Sequence, residues 1–223
     1  MTPTAQRASS PERRKSMSAE KLAAQLREAI MEGRLVPNQR LVETDIAEEY
    51  GASRGNVRIA LSELTTEGLI ERIRHRGARV RAVSIEEAVE IIEVRSAVES
   101  LCASKAAAKA SDEQIEQLRA IGSTMSEAVS TGALDVYADQ NRQLHTLIID
   151  ISGQSTAADT IRRLRGQAVR HQFRLSAREG RPAVSLPQHL AIIDAITDRD
   201  PQAAAAAMHE HLSSVAEAIA KSD

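Results

Sequence analysis

With 223 residues, the chain is long enough for two modest domains, and its 29 Lys and Arg against 31 Asp and Glu hide an uneven spread. Residues 1–82 carry 15 Lys and Arg against 11 Asp and Glu, and residues 83–223 carry 14 against 20, so an anionic partner is expected at the N-terminal part. Two Tyr, one Phe and no Trp suit helix packing better than a β-sandwich, the lone Cys102 excludes an intrachain disulfide, and the lack of any long apolar run points to a cytoplasmic protein with no membrane partner.

Residues 1–17 mix Pro, Ser, Thr, Arg and Lys without periodicity and read as a flexible arm. Arg13, Arg14 and Lys15 are solvated charge there, or phosphate contacts if the arm lies along DNA. Ser18 or Ala19 opens a helix with Leu22, Leu26, Ala29 and Ile30 inward, and Gly33 ends it. Leu35 and Leu41 bracket a turn at Pro37. Glu43 to Tyr50 puts Ile46, Ala47 and Tyr50 on one face of a short helix. After Gly51 and Ala52, Ser53 caps a second helix whose Val57, Ala60, Leu61 and Leu64 recur at three- and four-residue spacing. Two short helices joined by a tight turn form a helix-turn-helix, whose second helix presents its N-terminal residues to DNA. The run ERIRHRGARVRAV then reads as a basic two-stranded hairpin bent at Gly77. Its five arginines have no carboxylate after Glu71, and their repulsion calls for an anion such as DNA phosphate.

Beyond Val83 the pattern is helical throughout. Ser84 with Glu87, and Ser111 with Gln114, are capping boxes that start helices ending near Ala110 and Gly132. A third helix spans about 134–152 and a fourth starts at Ser155. The fifth follows a loop at 178–185 containing Gly180 and Pro182, and Asp200 with Pro201 opens the sixth. Six helices with short connections imply an antiparallel bundle over 84–223, behind a winged helix-turn-helix domain over 18–83. The fold class is therefore mainly α.

Asn141 and His145 share a helix face, while His189 and His211 stand about eight residues before and ten after the turn at 197–201. In an antiparallel hairpin those two lie at nearly one level, so three imidazoles from three helices are able to converge on Zn²⁺, Ni²⁺ or a similar ion. Surface or satisfied-core histidines are the plainer reading of the same spacing. His209 points elsewhere on its helix, and His75 and His171 have no convergent partners.

The run from Ile30 through Val80 resembles the winged helix-turn-helix of the GntR superfamily of bacterial transcriptional regulators. The resemblance rests on Gly33-Arg34-Leu35, Pro37, Leu41, Glu43, Ala47, Gly51, Ser53-Arg54, Val57-Arg58, Ala60-Leu61, Leu64, Glu67-Gly68-Leu69 and Arg76-Gly77. Asn38, Gly55-Asn56 and Ile59 depart from the family's usual residues. The segments EVRSAVESLCASKAA, NRQLH and QHLAIIDAITDRDPQAAAAAMHEHL resemble the all-helical FCD effector domain of the FadR branch, in its six-helix VanR-like form.

These resemblances imply a homodimeric, ligand-responsive transcriptional repressor of metabolic genes, acting on double-stranded operator DNA at the nucleoid. They place Thr44, Ser53, Arg54, Gly55, Asn56 and Arg58 on DNA, with Arg76 and Gly77 at a minor groove. They make Asn141, His145, His189 and His211 the metal ligands, with Asn141 standing where the family has an acid. Arg95 matches the family's cavity arginine and would hold the carboxylate of a small organic acid, the plainer alternative being a salt bridge to Glu99. A DNA-binding protein with no effector is the competing function. A helical metal hydrolase is disfavoured because Gln188, not a general-base Glu, stands beside His189.

Overall fold

The computed structural model describes residues 16–73, 77–176 and 180–221, the side chains of 169–176 excepted. The N-terminal part runs α1 (Ala19–Met31), β1 (Arg40–Leu41), α2 (Glu43–Glu49), α3 (Arg54–Thr66), β2 (Ile70–Ile73) and β3 (Gly77–Val80). Leu22, Leu26, Ile30, Ile46, Val57, Leu61, Leu64 and Ile70 form its core. The helical part follows as α4 (Ile85–Lys109), α5 (Asp112–Thr131), α6 (Leu134–Ser152), α7 (Ser155–Ser176), α8 (Arg181–Thr197) and α9 (Pro201–Ala220). Its separate core is built from Ile92, Cys102, Leu118, Met125, Leu144, Ile148, Ile161, Ile192, Ile196 and Leu212. α4 packs against α6, α7, α8 and α9 and is the strut of the bundle.

The caps act where the sequence places them. Ser18, Ser53, Ser84, Ser111 and Asp200 each accept a backbone N–H of the first turn they precede. Ser111 and Gln114 complete a reciprocal box, whereas the Glu87 carboxylate turns to Arg81 and leaves Ser84 with only its half. Gly132 and Gly153 end α5 and α6 at φ of 73° and 67°, a left-handed backbone that a Cβ would strain.

Four expectations change. The wing is part of a three-stranded antiparallel sheet of order β1-β3-β2, because Arg40 and Leu41 pair with Arg79 and Ala78. Gly77 opens β3 instead of forming the bend, and residues 74–76 lie outside the described residues. The expected loop at 178–185 is shorter: Pro182 fits the first turn of α8, where its missing N–H costs nothing, and Ser185 is buried inside that helix. The arm is tied down at its end, with Met17 N–H donating to Gly51 O and Ser53 N–H to Ser16 Oγ at 2.8 Å, while residues 1–15 lie outside the described residues.

The two parts meet at α7. Gly68, just past the end of α3, faces the Gln167 side chain, and Leu69 rests on Gly166.

Candidate functional site

At the N-terminus of α3, Ser53 caps the helix through Asn56 N–H at 3.1 Å, and Arg54 and Gly55 are exposed beside it. Among the described residues Arg54 has no hydrogen bond or ion pair, so its guanidinium fork is available. Asn56 is different. Its Nδ2 donates to Met17 O at 2.7 Å, so the amide also fastens the end of the arm. Arg58 donates to Glu43 at 2.8 Å and must leave that pair to reach a phosphate. Thr44 is exposed and bonded to Asp45, Gly77 is exposed, and Arg76 lies outside the described residues. The five wing arginines do not all await an anion, since Arg79 pairs with Glu71 and Arg81 with Glu87. Ile59, 58 % exposed, is an apolar side chain on the same helix.

The bundle interior brings together what spacing suggested. His145 on α6, His189 on α8 and His211 on α9 are all buried, with ring centroids 5.7, 5.4 and 4.3 Å apart pairwise. One ligand atom from each lies within 4.8 Å of the others. Each ring is oriented from behind through Nδ1. His145 meets Glu99 Oε2 at 2.9 Å, His189 meets the Tyr137 hydroxyl at 3.0 Å, and His211 meets Gln188 Oε1 at 3.2 Å. A neutral imidazole that donates through Nδ1 keeps its Nε2 lone pair for the centre, which is the tautomer a metal requires. His189 Nε2 is buried with no partner, and so is Asn141 Oδ1, one turn before His145. Burial pushes all three imidazoles below the ordinary value of 6.5, most strongly His189 and His211. Orphaned acceptors and neutral rings fit a divalent ion.

Glu99 organises the cluster. Burial opposes its ionisation, yet Arg95, Arg165 and the His145 N–H hold its carboxyl well below the usual range. Arg95 donates Nε to Oε1 at 2.8 Å, with Nη2 at 2.7 Å, and Arg165 donates to Oε2 at 2.9 Å. The salt-bridge alternative for Arg95 is therefore realised, in the core instead of at the surface, and Nη1 is still left buried without a partner. Tyr137, its hydroxyl pushed up to about 12 by burial, stays a neutral phenol behind His189. His209 turns away to Ser96 at 2.8 Å, as its position on the helix required.

Sequence reasoning gave Glu99 no role beyond pairing Arg95 and Gln188 none toward His211, and it overlooked Arg165, Arg181 and Tyr137. Arg165 sits in the run RRLRGQ, whose polarity offers no sign that one of its arginines turns inward. A surface cleft of about 600 Å³ between α5 and α6, lined by Gln117, Thr124, Gln143 and Asp150, is open to solvent and lies apart from the histidines.

Residues 90–214 match the FCD domain model, and residues 18–80 match that of the bacterial regulatory proteins of the gntR family. The chain is 28 % identical to the HTH-type transcriptional repressor RspR of Escherichia coli K12, over 87 % of this chain and 85 % of that protein. It is 27 % identical to the repressor GlaR of the same organism, over 84 % and 89 %. Its fold is similar to E. coli McbR/YncC, with a TM-score of 0.74 and 18 % identity over 91 % and 97 % of the two chains. It is also similar to a transcriptional regulator GntR from Rhodococcus sp. RHA1, with a TM-score of 0.73 and 21 % identity over 92 % and 98 %.

Proposed function

The chain belongs to the FCD family, with a gntR-family DNA-binding domain ahead of it, and on that premise we propose that it is a homodimeric repressor released by a small organic acid. It is a DNA-binding transcriptional regulator and not an enzyme. Residues 18–83 read the operator, and residues 84–223 bind the effector and join the protomers. Repression is the activity printed in the names of the relatives RspR and GlaR. The observation that carries the effector site is the buried set of three Nδ1-oriented histidines with an orphaned Nε2 at its centre. His145, His189 and His211, with the Asn141 carbonyl oxygen, would hold Zn²⁺ or Ni²⁺. The ion would supply a positive centre with open positions for a carboxylate. Arg95 Nη1 offers that carboxylate a charge-assisted hydrogen bond. Asn141 brings no charge, so the site is weaker toward the metal than one with an acid there.

Consecutive residues on α7 support a route for the signal. Arg165 is bonded to Glu99, while Gly166 and Gln167 rest on Leu69 and Gly68 behind the recognition helix α3. An acid that competes with Glu99 for Arg165 shifts α7 against α3 and so changes the spacing of paired recognition helices. By linkage, operator DNA must weaken acid binding by the same factor. The test is a gel-shift titration of operator release by small carboxylates, with and without chelator. Release that ignores the chelator would sink the metal's part in this reading.

On DNA, Arg54 is placed to take guanine O6 and N7, and the exposed Ile59 to touch a thymine methyl. Arg54→Ala is expected to cost about 1–3 kcal/mol on operator DNA and to relax sequence preference. An equal loss on random DNA would reduce Arg54 to a phosphate contact.

The dimer is assigned to the bundle. Val94 and Leu101, seven residues apart on one face of α4, are 51 % and 45 % exposed, an apolar stripe that a second copy would cover. Residues 83–223 alone are expected to sediment as a dimer. A monomeric fragment would move the interface elsewhere.

A further inference from the structure

Among the described residues three buried guanidinium nitrogens have no hydrogen-bond partner: Arg95 Nη1, Arg165 Nε and Arg181 Nη2. They approach the histidine cluster through different partners. Arg95 and Arg165 converge on Glu99, which backs His145. Arg181 begins α8 two turns before His189, and its Nη1 donates to Ser214 O at 3.4 Å and Oγ at 3.2 Å, three residues past His211 on α9.

Charge does not balance across this arrangement. Among the described residues the one carboxylate beside these three guanidinium groups is Glu99, and it is engaged by Arg95, Arg165 and His145. Arg181 is bound to neutral oxygens only. An excess of two positive charges is thus left around the neutral rings before any ion enters. Burying unpaired guanidinium N–H groups is costly, and an anion at each end removes that cost.

We propose that the site is built for a compact acid with an anionic group at each end, one end taken by Arg95 and Arg165 and the other by Arg181. This rests on the reading of the histidine cluster as the effector site and specifies its ligand class, a small dicarboxylate. A single anionic centre satisfies one side and leaves the other cation unpaired. Arg181 is then the residue that sets specificity for the second carboxylate, since among the described residues it pairs with no carboxylate.

The test is calorimetry on the full chain reconstituted with Zn²⁺, using succinate and glutarate against butyrate, with inorganic phosphate as a dianion of one centre. One of the two dicarboxylates should bind about tenfold or more tightly than butyrate, the worth of one further charge-assisted pair. Arg181→Gln should lower that dicarboxylate to the level of butyrate and leave butyrate unchanged. Arg181→Lys, which keeps the charge and loses the fork, should fall between them. Equal binding of butyrate and both dicarboxylates by the unaltered chain overturns the proposal, and this comparison needs no variant to fold. So does phosphate binding as tightly as the better dicarboxylate, or an Arg181→Gln variant that weakens butyrate and dicarboxylate alike. If butyrate binds and neither dicarboxylate does, the proposal falls and the effector site stands. If no carboxylate binds, both fall together.

Discussion

Glu99→Gln is expected to lower the unfolding free energy by about 3–5 kcal/mol, because it removes the one anion from a buried cluster and strands the cations around it. Glu99 is 1 % exposed and Arg95 3 %, so neither can turn to water without opening the bundle. An amide in place of the carboxylate keeps the shape but leaves the Arg95 charge uncompensated. A loss of that size is a large share of the stability of an ordinary domain, about 5–15 kcal/mol. The double variant Glu99→Leu with Arg95→Met should recover most of it, since buried ion pairs replaced together by apolar groups cost little, and Arg165, 24 % exposed, can reach solvent. Urea denaturation midpoints of the three proteins decide the matter. A change under about 1 kcal/mol for Glu99→Gln would mean that water enters the cluster and that its charges are not held dry.

Sequence alone revealed those parts of this molecule whose signals are local. Helix starts at Ser53, Ser111 and Asp200 are written in side chains that cap within three residues, and the glycines at 132 and 153 are legible as stops for the same reason. The convergence of His145, His189 and His211 was also readable, because α8 and α9 pair as an antiparallel hairpin and fix the level of two of the rings. Contacts across long separations left no such trace. β1 is two residues whose only reason to be a strand is the partner at Arg79 and Ala78, far along the chain. The bond from the Asn56 amide to Met17 O, 39 residues away in sequence, had no local sign either. Nothing local in the sequence marks Arg165 or Arg181, and only the packing of α7 and α8 on the bundle turns them toward Glu99 and Ser214. Asn38, by contrast, explains itself: at φ 64° the turn before β1 needs a left-handed residue, and Asn is the side chain that tolerates it best after glycine.

His189→Ala and His211→Ala are each expected to abolish metal-dependent acid binding and leave unliganded operator binding intact. Each removes a ligand from a set of three imidazoles, and the rings lie in the bundle core while the DNA-reading surface is on α3. The acid response of the metal-free protein supplies a second readout. In the unfolded chain these histidines take up protons near the ordinary 6.5, whereas in the fold burial keeps them neutral to lower pH. Between those limits the unfolded state binds more protons, so the native state loses stability as pH falls below about 6.5 and regains it as pH rises. Glu99 adds a loss at lower pH, where its depressed carboxyl finally protonates in the fold. Removing His189 or His211 should therefore flatten the decline between pH 6.5 and 5 while leaving the Glu99 part in place. Free imidazoles would lose a metal ion as pH falls through about 6.5. In the folded protein, protons compete with the ion only below the lowered values, so affinity should hold through 6.5 and fall at more acid pH. Metal titrations between pH 7.5 and 5, run beside thermal unfolding of the metal-free protein and both variants, separate the two effects. If affinity drops at 6.5 in step with free imidazole, water reaches the rings, and the dry cluster on which the proposed switch depends does not exist.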